Sequence, residues 1–416
     1  MTEKEINTLL TDAESSLSRQ FSASEKIEQH NFEKVMDAFA KERVAVQHFA
    51  GTTGYGYDDV GRDTLGKVFA DIFHCEDAIV RPAIASGTHA LALCLYGLLR
   101  TGDTLLAGSG KPYDTLESVI GISGKVGQGS LKEYGVAYKQ VDLKDNKIDI
   151  PAILSALEDK TVKVVTLQRS RGYDWRPSIS VSELGEAAQA IHSVRPDVAV
   201  MVDNCYGEFV EEIEPTDVGC DIIVGSLIKN IGGGIAPTGG YIAGRADLVE
   251  KVSYRLTSPG IGREVGSYIG GYDRFYEGLF FAPHVVCQAV KGAMLTSAIF
   301  EMLGYAVSPT PGEVRHDIIQ AIRLGSREKL ISFCEAIQYA SPVDSFVTPE
   351  PWAMPGYQDE VIMAAGTFVG GASIELSADA PLKEPFNVYM QGGLTYSHVR
   401  YAMKKVLQRL SNKNML

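Results

Sequence analysis

Two short stretches, VAVMVDN (198–204) and DIIVGSLIKNIGGG (221–234), decide how this chain folds. Each opens as a run of β-branched and aliphatic residues bounded by turn formers, which predicts a strand buried on both faces. Each then closes on one ionisable side chain, Asp203 in the first and Lys229 in the second. Strands of this kind belong to α/β sheets, which place ligands at the carboxyl ends of their strands. A carboxylate there suits a protonated ring nitrogen or a cation, or simply caps the next turn. Lys229 follows Ser226 and precedes three glycines. A lysine so placed suits Schiff-base chemistry when its surroundings lower its pKa. The glycines are expected to let backbone approach a ligand closely. The plain alternative is a surface lysine before a flexible turn.

Outward from this pair, strand-like runs recur at 78–81, 104–107, 136–141, 162–167 and 241–243, with helix-like stretches at 89–99, 151–157 and 182–191 between them. Strands alternating with helices predict a seven-stranded, mostly parallel sheet in a large α/β domain over residues 51–283. Residues 1–50 read as an amphipathic helical arm that packs on something else. From 284 the pattern changes to a long helix (284–303), a strand pair (361–367 and 372–376), turn signals such as SPTPG and TPEPWAMPG, and a last helix near 397–410. That predicts a smaller α+β domain over 284–416.

Composition excludes several classes. The 416 residues carry 39 Lys and Arg against 52 Asp and Glu, a net charge of −13. This argues against wrapping nucleic acid or docking on an anionic membrane. Apolar runs stay short of a transmembrane helix, and the acidic start MTEKEINTLLTDAESS lacks the order of a signal peptide, so a cytoplasmic protein is expected. The six cysteines are scattered and read as buried hydrophobes rather than disulfides. No metal site is expected from the spacing of His and Cys.

Three further segments have chemical potential. Ser86-Gly87-Thr88 follows a strand and opens an apolar helix; its N–H groups and hydroxyls suit a phosphate, or it is an ordinary helix cap. Tyr113 in KPYDT ends a strand and can stack on a flat ring or simply pack. The acids Glu208, Glu211, Glu212, Glu214 and Asp217 read as a solvated loop, with cation chelation as the alternative. Phosphate loop, aromatic residue, strand-end acid and Ser-x-x-Lys in this order form the set needed to hold pyridoxal phosphate.

The chain resembles fold-type I pyridoxal-phosphate enzymes of the cystathionine and methionine gamma-lyase group, and within it the bacterial methionine gamma-lyase-like proteins labelled for aluminium resistance. GTTGYGYDDVGRDTL, PYDTLESVIG, QRSRGY, VDNCYGEF, GSLIKNIGGGIAPTGGYIAG and QGGLTYSHVRYA are similar to that family's segments, from about residue 50 to 405. The resemblance implies that Lys229 carries the cofactor and Asp203 faces its ring nitrogen. It implies that Ser86, Gly87, Thr88 and Ser226 hold the phosphate and that Tyr113 stacks on the ring. Tyr57 matches a tyrosine that reaches a neighbouring subunit's phosphate, so a homodimer or homotetramer with shared sites is implied. Two positions depart from the family. Asp59 stands where relatives carry an arginine, with Arg62 nearby, and the carboxylate-clamping arginine falls near Tyr389. Arg169, Arg171, Arg176, Arg263 and Arg400 are open as replacements, since a guanidinium is the best partner for a carboxylate.

The expected function is β- or γ-elimination on a sulfur amino acid of the cystathionine, methionine or cysteine type, with Lys229 and Tyr113 as catalytic residues. An aminotransferase or aldolase on the same fold is the alternative, and a non-catalytic metal-tolerance protein is a third reading. A nicotinamide dehydrogenase is disfavoured, because no G-x-G-x-x-G follows a strand.

Overall fold

The computed structural model describes residues 1–354 and 359–416; the turn signal at 348–356 falls partly outside them. The seven expected strands are all present: β1 (Asp77–Arg81), β2 (Thr104–Ala107), β3 (Ala137–Gln140), β4 (Val162–Gln168), β5 (Ala199–Asp203), β6 (Ile222–Ser226) and β7 (Gly240–Gly244). They form one sheet in the order β1-β7-β6-β5-β4-β2-β3. β7 runs antiparallel to both neighbours and the remaining pairs are parallel. β6 and β7 are buried at every position, as a sheet covered on both faces requires.

The N-terminal segment is two helices, α1 (Glu3–Ser16) and α2 (Ser18–Lys41). α3 (Val60–Ile72) precedes β1; between the sheet strands lie α4 (Gly87–Leu98), α5 (Asp114–Ile120), α6 (Ile150–Ala156) and α7 (Val181–Val194), followed by α8 (Ala246–Leu256) and α9 (Asp273–Met302). α1 and α2 pack on α9 of the same chain. The surface expected to cover the arm is therefore intramolecular, and the arm by itself gives no reason for a partner subunit.

α9 starts before the expected boundary and runs unbroken through Pro283. A proline lacks the helical N–H and so usually marks an end; here it is buried among core residues that hold the helix together. We place the junction between the two sheets along α9 rather than at Pro283. By length and composition α9 qualifies as a membrane span, but 72% of its apolar window is buried inside the fold, as befits a core helix.

Beyond α9, β8 (Ala306–Ser308), β9 (Gln320–Arg323), β10 (Val361–Ala364), β11 (Ser377–Pro381) and β12 (Asn387–Gln391) form a second sheet in the order β10-β11-β12-β9-β8. α10 (Arg327–Ala340) and α11 (Tyr396–Asn412) pack on each other beside it. The strand expected at 372–376 lies one step later, at β11. Residues 372–376 instead close a turn, in which the Glu375 carboxylate accepts the N–H groups of Phe368 and Val369 at 2.9 Å each. All six cysteines are free thiols, five of them buried.

Candidate active site

The carboxyl ends of β4, β5 and β6 open on one cavity of about 160 Å³. Its wall brings together Ser86, Gly87, Thr88, Tyr113, Asp203, Ser226 and Lys229, residues spread over about a third of the chain's length in sequence. Ser86 caps α4, its Oγ accepting the His89 N–H at 3.1 Å, so the plain cap reading holds. The hydroxyl proton is left to donate into the cavity. A Cβ on Gly87 would stand 3.3 Å from Cys205 Sγ and 3.5 Å from Ser226 Cβ. Glycine at this point keeps the space above the helix end clear between the strand ends. With Thr88 hydrogen-bonded to Thr115 at 2.7 Å, the result is a hydroxyl-rich cradle at a helix N-terminus, which fits a phosphate.

Asp203 ends β5, paired with Gln168 on β4 and Val224 on β6. Its Oδ1 accepts the Cys205 N–H at 3.2 Å. Burial pushes this carboxyl upward, against the pull of Lys229 and of the Cys205 contact. Lys229 lies just beyond β6, its Nζ 4.0 Å from the centroid of the Tyr206 ring. Burial works to lower this amine's pKa, but Cys205, Tyr206, Asp203 and Glu208 outweigh it and hold the group high, as an ammonium. An amine facing a carboxylate across a cavity floored by a phosphate cradle fits pyridoxal phosphate at both ends.

Tyr113 stands at the start of α5, its ring 5.8 Å from Tyr173, whose ring is 5.6 Å from Tyr389. Tyr389 is buried on β12, and the Tyr173 hydroxyl donates to Asp379 at 3.0 Å. Beside the cavity, and sharing Tyr113 and Gln168 with it, lies a second pocket lined by Arg171, Tyr173 and Arg176. Arg171 donates to the Ser308 carbonyl and hydroxyl and Arg176 to the Pro177 and Ser170 carbonyls, while the other arginines are ion-paired away from both pockets: Arg169 with Glu211 at 2.8 Å and Glu214 at 3.3 Å, Arg263 with Asp77, and Arg400 with Glu14 at 2.8 Å.

Tyr57 is not in the cavity. It is 61% exposed, with its ring 5.8 Å from that of Tyr55. The departure at Asp59 has a structural reason. Its buried carboxylate caps α3 by accepting the Arg62 N–H at 3.0 Å and also takes the Tyr272 hydroxyl at 2.8 Å. Arg62 is turned inward, donating to the Gly56 carbonyl at 2.8 Å.

Two expectations are corrected. The glycines after Lys229 do not serve a ligand. A Cβ on Gly232 would lie 1.6 Å from the Leu227 carbonyl oxygen, and one on Gly233 2.3 Å from that of Gly278 in α9. They let the lysine's turn press against a helix. The acidic stretch is no solvated loop either, since Glu208 and Glu214 are fully buried. Glu214 meets Arg169 and the Asn204 amide, and Glu208 Oε1 accepts the Tyr241 hydroxyl at 2.9 Å. Among the described residues no group of three or more His, Cys, Asp or Glu side chains is placed to hold a metal.

Burial pushes the Glu208 carboxyl up to about 8. The folded chain thus keeps a proton that the unfolded chain loses above its ordinary carboxylate value of 4.5, so this group's contribution to stability falls as pH rises toward 8. Glu208→Gln keeps an oxygen for Tyr241 and removes the titration. Thermal melts are expected to show the variant gaining on the wild type by a few °C more at pH 8 than at pH 5, roughly a kcal/mol or more. Equal differences at both pH values would mean that Glu208 is ionised in the fold.

The sequence reading missed Gln168, Cys205, Tyr206 and Thr115, which also line the cavity. Cys205 and Tyr206 come two and three residues after the strand-end Asp203, and that nearness was the available signal.

Comparison with known proteins agrees with this geometry. The methionine gamma-lyase family model matches residues 6–411. An uncharacterized protein of Bacillus subtilis, YnbB, is 51% identical over 94% of this chain and 93% of its own. The crystal structure of a carbon-sulfur lyase involved in aluminum resistance from Clostridium novyi NT superposes with a TM-score of 0.95 at 49% identity, covering 98% of this chain and 96% of that one. The L-methionine gamma-lyase of Treponema denticola is 23% identical over 54% of this chain and 51% of its own. The architecture is that of fold-type I pyridoxal-phosphate enzymes. Matched along almost its whole length, the chain belongs to the methionine gamma-lyase family, pyridoxal 5'-phosphate-dependent carbon–sulfur lyases.

Proposed function

We propose that the protein eliminates a thiol from the β- or γ-carbon of a sulfur-containing amino acid, in the cytoplasm, with Lys229 and Tyr113 as its catalytic residues. The observation that supports this assignment is the convergence of Lys229, Asp203 and the Ser86–Thr88 cradle on one cavity. When bound, pyridoxal phosphate supplies an electrophilic carbonyl for amines and a ring that withdraws electrons from Cα. Ser86, the Gly87 N–H, Thr88 and Ser226 hold its phosphate. Asp203 keeps the ring nitrogen protonated, and Tyr113 stacks on the ring. Lys229 would hold the cofactor and, when its amine is free, would take the Cα proton as a general base. Tyr113 or Lys229 then gives a proton to the departing sulfur. We place the substrate carboxylate against Arg171 and Arg176, the two arginines of the adjoining pocket.

The test is to incubate purified enzyme with cystathionine, cysteine, homocysteine and methionine and to assay thiol, ammonia and 2-keto acid. All three products should appear without an amino acceptor. A requirement for a keto-acid acceptor with no thiol release would put an aminotransferase in place of this reading. Tyr113→Phe keeps the ring and removes the acid, so it should retain the cofactor's absorbance and lose elimination by about 10²-fold or more.

We infer also that the chain works as a homodimer or a tetramer of dimers, with Tyr57 of one copy completing another's phosphate site. Tyr55 and Tyr57, 74% and 61% exposed on the loop before α3, support this. A symmetric contact would cover both. Mixing Lys229→Ala chains with Tyr57→Ala chains should then recover part of the activity that neither has alone. No recovery despite verified subunit exchange would place the whole site within one chain.

A further inference from the structure

Tyr206 lines the cavity with its backbone at φ 72°, a left-handed conformation that aromatic residues seldom adopt. Two contacts hold its side chain there. Lys229 Nζ lies 4.0 Å from the ring centroid, and the phenol oxygen is 2.7 Å from Ser373 Oγ. Ser373 sits in the turn before β11 that Glu375 closes, and the same turn reaches the lysine's own segment. A Cβ on its Gly371 would stand 3.8 Å from Ile228 Cδ1. Tyr206 also packs against the small buried cluster of Ile319, Ala321 and Tyr389, the last two on strands of the second sheet. Tyr206 is thus pinned between the lysine and the C-terminal sheet, in a conformation it would leave if unheld.

We propose that Tyr206 is a positioning residue for Lys229: its ring seats the amino group whenever that group is free of the cofactor, and the bond to Ser373 fixes the ring. This rests on the reading that Lys229 carries the cofactor. An aromatic face attracts an ammonium and not a neutral amine. Lys229 must be neutral both to take up the cofactor and to draw the Cα proton. The ring therefore governs where the amine waits and how readily it gives up its charge. The titratable groups that face Lys229 are Asp203, Cys205, Tyr206 and Glu208 from β5 and the segment after it, and Asp379 from β11. Of these only Tyr206 presents a ring face, so the test alters that alone.

The full chain is stripped of cofactor and its recombination with pyridoxal phosphate is followed by absorbance across pH. This is done for the wild type, Tyr206→Phe, Tyr206→Leu and a ring-fluorinated phenylalanine at position 206. Tyr206→Phe keeps the π face and should keep the wild-type midpoint. Fluorination empties the π face without changing shape, and leucine removes it. Both should move the midpoint to lower pH by roughly half a unit to one unit. The fluorinated residue decides the matter if Tyr206→Leu fails to fold. Coincident midpoints for phenylalanine and its fluorinated analogue overturn the proposal. Ser373→Ala should slow recombination a few-fold at every pH without moving the midpoint; an unchanged rate removes the tether. Borohydride reduction and peptide mapping separate the two levels. Label on another lysine defeats the assignment of Lys229, whereas label on Lys229 with unmoved midpoints defeats only the role of Tyr206.

Discussion

Lys229→Ala is expected to fold, to bind pyridoxal phosphate without a covalent link and to lose turnover by about 10³-fold or more. The size of the loss follows from the position of the side chain. In the proposed mechanism Lys229 carries the cofactor and removes the Cα proton, and alanine ends both at once. The cradle at Ser86–Thr88 and the carboxylate of Asp203 stay in place, so the variant still has the means to hold the phosphate and the ring. Borohydride reduction followed by peptide mapping should put the pyridoxyl label in the wild-type peptide containing Lys229 and nowhere in the variant. Circular dichroism and a thermal melt close to wild type would show that the loss is chemical. Wild-type label on any other lysine would sink the assignment.

Asp203→Ala is the second large effect. The carboxylate ends β5 with Oδ1 turned to the Cys205 N–H, and among the residues lining the cavity it is the one carboxylate. Without it nothing on that wall favours a proton on the ring nitrogen, and an unprotonated pyridine draws electrons poorly. Turnover should fall by about 10²- to 10³-fold, the scale seen when one aligned electrostatic group is removed from a reaction centre. Cofactor affinity should fall as well. Equilibrium dialysis against pyridoxal phosphate and steady-state rates at saturating cofactor separate the two losses. Near-normal turnover at saturation would take the role away from Asp203.

The place of both residues in the cavity was legible in the sequence because one ends β5 and the other lies just beyond β6, two strands whose composition leaves little choice of conformation. The same holds for the other strands of the first sheet except β3, whose AYKQ carries no Val, Ile or Leu: elsewhere aliphatic residues between glycine and polar turns leave few alternatives. The C-terminal sheet was harder to read. β9 and β12 are short, and the residues at 372–376 look like a strand until the Glu375 carboxylate is seen closing them into a turn. Pro283 misled for a local reason: the rule that proline ends helices gives way when the proline sits on the helix's buried face and core packing on both sides of it holds the helix together. The acids after β5 misled because sequence reports charge and not depth. Arg169, far off in the chain, is what lets Glu214 sit fully buried. Tyr206 was missed although it stands only three residues after Asp203, because its place in the cavity depends on a left-handed backbone that no residue type announces.

The contact between the turn after Lys229 and α9 bears on how this enzyme can be re-engineered. Cβ atoms on Gly232, Gly233 or Gly278 would each run into backbone within 2.3 Å. Because the obstruction is main chain, no second substitution can make room, and a mutational library will find these three positions closed. The tyrosine row Tyr113–Tyr173–Tyr389 is built from side chains resting on side chains. There a change at one ring can be absorbed by its neighbour. Variation aimed at altering which sulfur compound is accepted belongs at position 173, which lines the pocket beside the cavity. Variation aimed at the glycines will return unfolded protein and say nothing about chemistry.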